Sequence, residues 1–357
     1  MLKKLRIRNF KCFNDFSLDL KELTILTGSN SAGKSTVIQS ILLSDSAYKD
    51  YERRIYINDI YGTNLGIASK LLSREGLSTK ETEDIGDQII FSYEPSHAEV
   101  ILKVEDIAEE NYFEKEIQGN WDNNLFYLNA ERIGPRIANQ ITNNSISNVG
   151  FHGENTGFML SRLQNESLSI PEKLKIGKSS LFPSICMDWL NVIIPNSDFS
   201  SESISDLGVS ALRYNKDSVP TAVGFGLSYV LPIIVQALYC VSLAKEKNKK
   251  VVFIVENPEA HLHPYSQSQI GKFLSKIAMH GVQVITETHS EHVINGARLQ
   301  LAEGQNTDLM GLFFFDAGKA EEISINEFGE LSHWPAGFFD QSMKDTRKIL
   351  ENRLGGV

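Results

Sequence analysis

The run Gly28-Ser29-Asn30-Ser31-Ala32-Gly33-Lys34-Ser35 fits the pattern G-x-x-x-x-G-K-[ST] in full and constrains the fold more than any other part of the chain. The pattern carries meaning only between a buried strand and a helix. Both flanks are present. Leu23-Thr24-Ile25-Leu26-Thr27 is a buried-strand run, and Thr36-Val37-Ile38-Gln39-Ser40-Ile41-Leu42-Leu43 opens a helix. Glycines let such a backbone curl until several N–H groups face one point, and the helix N-terminus adds positive partial charge there. That arrangement binds phosphate. Lys34 then reaches the β- and γ-phosphates of a nucleotide, and the Ser35 hydroxyl is a ligand for Mg²⁺.

The rest of the chain supplies strands and helices in alternation. Residues 5–10 and 18–20 read as short strands, followed later by strand-like stretches at 88–93, 99–104 and 125–128. From Val223 the pattern sharpens: a mostly apolar helix over 227–243, a continuous β-branched run at 251–255, a helix over 266–279, a strand at 282–286 and a helix over 291–302. Strands alternating with helices predict an α/β protein with a mostly parallel sheet. Residues 137–215 are rich in Asn and Ser, with a helix expected near 156–165 and a mobile stretch at 197–205.

Composition narrows the class. Of 357 residues 41% are hydrophobic and 22% charged, enough apolar material for a core and too much for a disordered chain. The three cysteines, Cys12, Cys186 and Cys240, are too scattered for a disulfide framework or a zinc spacing. No run is expected to reach the roughly 18 apolar residues of a membrane span, and MLKKLRIRNFKCF has no apolar stretch of the signal-peptide kind. A cytoplasmic protein without a membrane is expected. The net charge of −10 sits in one segment: residues 45–125 hold 8 Lys and Arg against 18 Asp and Glu, and the remainder balances at 27 and 27. The segment reads either as a solvated acidic surface or as an inserted subdomain that meets a basic partner.

A second motif stands at Val251-Val252-Phe253-Ile254-Val255-Glu256-Asn257-Pro258-Glu259, an apolar strand ending in acids of the kind that hold Mg²⁺ beside a phosphate loop. It continues as Ala260-His261-Leu262-His263-Pro264. Together with Gly28–Thr36, Thr286-Glu287-Thr288-His289-Ser290, the opening Asn9-Phe10-Lys11 and Val223-Gly224-Phe225-Gly226-Leu227-Ser228, it resembles ABC-type ATPases of the SMC, RecF and OLD group. Within that group the E-N-P-E-A-H-L-H-P run is most similar to compact ATPases of bacterial anti-phage systems such as Septu. The likeness covers roughly 1–44, 125–136 and 220–335.

That resemblance implies a P-loop NTPase with an ABC-type ATPase head: one domain over 1–357, an N-terminal antiparallel β element, an acidic insertion at about 45–125 and an irregular polar insertion at about 137–219. ATP and Mg²⁺ are the implied cofactors. Gly28, Asn30, Ser31, Gly33, Lys34, Ser35 and Thr36 match the Walker A loop. Glu256 stands at the Mg²⁺-associated acid of Walker B, and Asn257 where the water-polarising Glu usually stands. An amide orients water but accepts no proton as a carboxylate does, so Glu259 or a second subunit supplies the base, or turnover is slow. His289 matches the switch histidine. Gly224 and Gly226 match the signature segment that caps the other subunit's ATP in a head-to-tail homodimer, with Gly224 where a serine is usual and Ser228 nearby as a substitute. Asn9 and Lys11 match a turn near the nucleotide base.

Other residues carry paired readings. Arg132 and Arg136 offer bidentate phosphate contacts or ion pairs with nearby acids. His261 and His263 stand at i, i+2 without a third ligand, which favours a structural turn over a metal site. The run from Lys245 to Lys250 is a solvated loop or a DNA contact. No nuclease or hydrolase pattern accompanies the ATPase motifs, and no long coiled coil of the SMC kind is present. The expected protein is therefore an ATPase that gates a separate nuclease or toxin effector in a defence complex. The alternative is a RecF-like ATP-dependent DNA clamp with slow turnover.

Overall fold

Alternation along the buried strands explains the layering of the protein. A computed structural model describes residues 1–73, 86–104, 110–141, 147–215, 218–247 and 249–354. Its central sheet runs in the order β10 (Asn124–Leu128), β14 (Val251–Glu256), β15 (Val282–Glu287), β3 (Leu23–Gly28), β16 (Met310–Asp316) and β17 (Lys319–Glu322). The first five strands are parallel and β17 is antiparallel. Strand residues alternate between faces, and both faces here are apolar. Val251, Phe253 and Val255 join one core, whereas Val252 and Ile254 join the other.

The first core is closed by α3 (Phe182–Ile193), α4 (Phe225–Lys247), α5 (Pro264–Ala278) and α6 (Glu291–Glu303). The second is closed by α1 (Lys34–Lys49) and a six-stranded antiparallel sheet of order β2 (Phe13–Asp19), β1 (Lys4–Phe10), β7 (Gln88–Glu94), β8 (Ala98–Lys103), β9 (Tyr112–Gln118) and β4 (Arg54–Tyr56). The fold class is the expected α/β class with a mostly parallel sheet and an N-terminal antiparallel element.

The acidic segment is built into that second sheet. β7 pairs directly with β1, matching Leu5 with Tyr93 and Ile7 with Phe91, and β8, β9 and β4 extend the sheet outward. Ile89, Phe91, Tyr93, Val100 and Leu102 face the core. Residues 74–85 and 105–109, which hold several of the acids, lie outside the described residues. The polar segment likewise contributes core: α2 (Thr156–Arg162) and α3 bury Met159, Leu160, Ile185, Trp189 and Leu190. Its residues 142–146 and 216–217 lie outside the described residues, as does Asn248 in the lysine-rich run.

The stretch 197–205, expected to be mobile, contains β12 (Phe199–Ile204), which pairs with β13 (Val209–Tyr214), and Phe199 is buried against the first core. One expectation is corrected. A run long and apolar enough to cross a membrane does exist, at Phe225–Glu246, but 72% of its apolar 18-residue window is buried inside the protein as the core helix α4.

Candidate functional site

The phosphate loop leaves β3 at Gly28 and enters α1 at Lys34. Its glycines are demanded by geometry. Gly28 has φ 129°, and a Cβ there would lie 2.0 Å from the carbonyl oxygen of Phe315 on β16. Gly33 has φ 112°, with the Phe13 ring 2.5 Å from where its Cβ would be. Ser31 also takes a left-handed conformation, at φ 62°. The Lys34 ammonium is buried and donates to the loop's own carbonyls, Gly28 at 3.0 Å and Ser29 at 2.8 Å. Burial pulls its pKa down, against the opposing pull of the nearby Glu287 carboxylate.

Glu256 and Glu287 end adjacent parallel strands as register partners. The alternation that sends Ile254 and Ile285 to the α1 face sends these two acids to the same face. Glu256 accepts from the Tyr127 hydroxyl at 2.9 Å, and burial, then the charge of Glu287, push it up to about 7. Glu287 accepts from the Ser35 hydroxyl at 3.0 Å and lies 3.7 Å from the Lys34 ammonium. Sequence reading did not single out Glu287. The signal was an acid at the mouth of a strand, two residues before His289. The strand that intervenes between β3 and β14 is β15, so Glu287 stands nearer the loop lysine than the end of β14 does.

Three further residues brace these strand ends. Arg132 is buried and reaches the carbonyls of Asn129 at 3.0 Å, Glu256 at 2.7 Å and Asn257 at 2.5 Å, while its guanidinium stacks over Tyr229. Burial lowers its pKa to about 10. It is thus a clamp under the turn after β14, and neither an exposed phosphate arginine nor a partner of surface acids. Glu259 accepts from the Thr288 hydroxyl at 2.7 Å and the His289 amide at 2.6 Å, so both of its oxygens hold the loop after β15. A free base at Glu259 is not what the geometry provides. The His289 ring is half exposed, with Nε2 3.9 Å from Glu287. Asn257, at φ 44°, buries an amide oxygen with no partner among the described residues.

Other expected site residues are placed elsewhere. The Asn9 amide donates to the carbonyls of Gly86 and Gln88 and accepts from the Ser73 amide, joining three segments of the β layer. The Lys11 ammonium is held by Gln39 on α1. Gly224 is exposed, and a Cβ there would meet nothing within 4 Å. Gly226 packs on the His261 carbonyl. Ser228, the expected substitute for a signature serine, buries its hydroxyl with no hydrogen-bond partner among the described residues. The His261 ring stacks against Tyr229 and Phe225, with centroids at 4.5 and 5.3 Å.

The residues present fit Mg²⁺ and a nucleoside triphosphate. The donor set is hard oxygen, from the Ser35 hydroxyl and two carboxylates, as Mg²⁺ demands. The unpartnered Asn257 oxygen adds a polar atom beside Glu256, and the glycine-bound loop keeps backbone N–H groups available at a helix N-terminus.

Comparison with known proteins bears on the same motifs. A family model described as an AAA ATPase domain matches residues 1–149 and 80–294, and one described as a protein of unknown function (DUF3696) matches 306–349. The OLD nuclease of Thermus scotoductus is 46% identical over 41 residues, which is 12% of this chain and 8% of that protein. The chain thus matches well under a tenth of that relative's length. Among solved structures, the SMC head domain from Thermotoga maritima aligns over 91% of this chain and 99% of its own at 12% identity and a TM-score of 0.43. ATP-bound RecF, described as a recombination mediator, aligns over 90% and 99% at 13% identity and a TM-score of 0.44. The phosphate loop, the acid-ended strand beside it and a family match spanning most of the chain agree: this protein belongs to the AAA ATPase domain family.

Proposed function

We propose that this chain binds and hydrolyses Mg²⁺-ATP at the Gly28–Thr36 loop, closes as a homodimer around the nucleotide, and uses that closure to gate a separate nuclease or toxin effector in bacterial anti-phage defence. One observation carries the ATP reading: Lys34, Ser35 and the acids at the ends of β14 and β15 converge on one face at the end of the parallel sheet. The effector reading draws support from the E-N-P-E-A-H-L-H-P run, through its likeness to ATPases of anti-phage systems.

The residues divide the work. Backbone N–H groups of the loop cradle the phosphates, and Lys34 turns from the Gly28 and Ser29 carbonyls to meet them. Ser35 and Glu256 hold Mg²⁺, which supplies charge neutralisation at the phosphate oxygens. Asn257 orients the attacking water without taking its proton, which makes turnover slow. Arg132 and Glu259 keep the Walker B turn and the switch loop in register.

Lys34→Ala tests both halves. ATP binding is expected to fall at least about tenfold, and any partner encoded beside this gene is expected to co-purify with wild type in a nucleotide-dependent way that the variant loses. A variant that binds ATP as wild type does would sink the site assignment. Co-purification indifferent to nucleotide and to Lys34 would sink the gating.

A further inference from the structure

Glu287 touches every part of the phosphate machinery, yet none of the motifs assigns it a task. Its side chain is 9% exposed. One oxygen accepts from Ser35 at 3.0 Å, and the other lies 3.7 Å from Lys34 and 3.9 Å from His289. The neighbouring strand brings Glu256 into register on the same face. Two carboxylates so placed repel each other.

Charge balance shows what must change when ATP arrives. Lys34 is the one ammonium ion-paired with Glu287 among the described residues, and the phosphates take it. Glu256 and Glu287 would then face a polyanion at close range, where like charges in a partly buried site are costly. A divalent cation between the carboxylates and the phosphates removes that cost. Because Ser35 already donates to Glu287, any cation that takes the Ser35 oxygen is brought against the Glu287 carboxylate.

We infer that Glu287 is a second carboxylate of the Mg²⁺ site, holding Lys34 and Ser35 before nucleotide binds and turning to the cation when Mg²⁺-ATP is in place. The consequence is strong coupling: metal and nucleotide bind well together and poorly apart. This inference rests on the ATP reading above.

Fluorescence anisotropy with a slowly hydrolysed fluorescent ATP analogue tests it on the full chain, in Mg²⁺ and in EDTA. Wild type is expected to bind at least about tenfold tighter in Mg²⁺. Glu287→Gln is expected to bind tighter than wild type in EDTA, since a repelling charge is gone, and to keep less than about a threefold response to Mg²⁺. Mn²⁺ electron paramagnetic resonance of the nucleotide complex gives an independent reading, with weaker Mn²⁺ retention expected in the variant. Glu287→Asp keeps the charge but retracts it. It is expected to bind as weakly as wild type in EDTA and to respond less to Mg²⁺, which covers a Gln variant that does not fold. A wild-type Mg²⁺ response in both variants overturns the inference while leaving ATP binding intact. No binding by wild type in either buffer overturns the ATP reading and the inference with it.

Discussion

Glu256 shows how one buried acid ties stability to pH. Burial first and Glu287 second raise it from 4.5 to about 7. The folded state therefore holds a proton that the unfolded state has already released between those values. The sign follows: the stability this group contributes is full below about 4.5, is lost as pH rises towards 7, and stays lost above. Up to about 3 kcal/mol is at stake. Glu256→Gln removes the titration and keeps the shape. In EDTA it is expected to melt higher than wild type at pH 8, with the two converging near pH 5. Thermal denaturation followed by circular dichroism at the two pH values decides it, and an equal gain at both would show that charge is not the cause. Arg132 makes a different kind of contribution, since its buried guanidinium donates to the carbonyls of Asn129, Glu256 and Asn257 and so ties the end of β14 to the segment after β10.

At the scale of elements, the turn after β14 and the loop after β15 behave as one unit. Glu259 from the first holds Thr288 and His289 of the second, and Ser290 then caps α6 by accepting from the His292 and Val293 amides. Glu259→Ala is expected to cost about 1–3 kcal/mol through the unsatisfied Thr288 and His289 donors. Steady-state kinetics should show kcat falling more than KM rises, because the His289 backbone loses its anchor while the phosphate loop is untouched. A change confined to KM would contradict this role. These elements also show what the sequence made readable. β3, α1, β14 and β15 were legible because local periodicity and a fixed loop pattern define them. The strands at 5–10, 88–93 and 99–104 were legible in the same way, but their joining into one six-stranded antiparallel layer was not, because β1 finds β7 across some eighty intervening residues, and pairing over that distance leaves no local mark. Glu287 escaped for a related reason: it closes an apolar strand and gains meaning only when the register sets it beside Ser35 and Glu256. Arg132 was visible, but its burial under the β14 turn depends on tertiary packing that no spacing reveals.

On the scale of the whole molecule, the surface beside Gly224 is one that lacks cover. Phe225 is 52% exposed there, and His261 is exposed and packs against Phe225 and Tyr229. Apolar groups clustered on a surface favour a partner. The cluster also leads inward. Tyr229 carries the Arg132 guanidinium 5.3 Å from its ring centre, and Arg132 holds the carbonyls of Glu256 and Asn257. In the proposed dimer, a second copy seated on this face would therefore press on the turn after β14, and that would link closure to chemistry. Gly224→Trp isolates that link. A side chain at this position meets nothing within 4 Å, so the fold and ATP affinity are expected to stay as in wild type. Light scattering coupled to size exclusion is expected to show an ATP-dependent dimer for wild type and a monomer for the variant, with turnover reduced at least about tenfold. If the tryptophan variant dimerises with ATP as wild type does, the partner seats elsewhere and the Phe225–Tyr229–Arg132 path does not report closure.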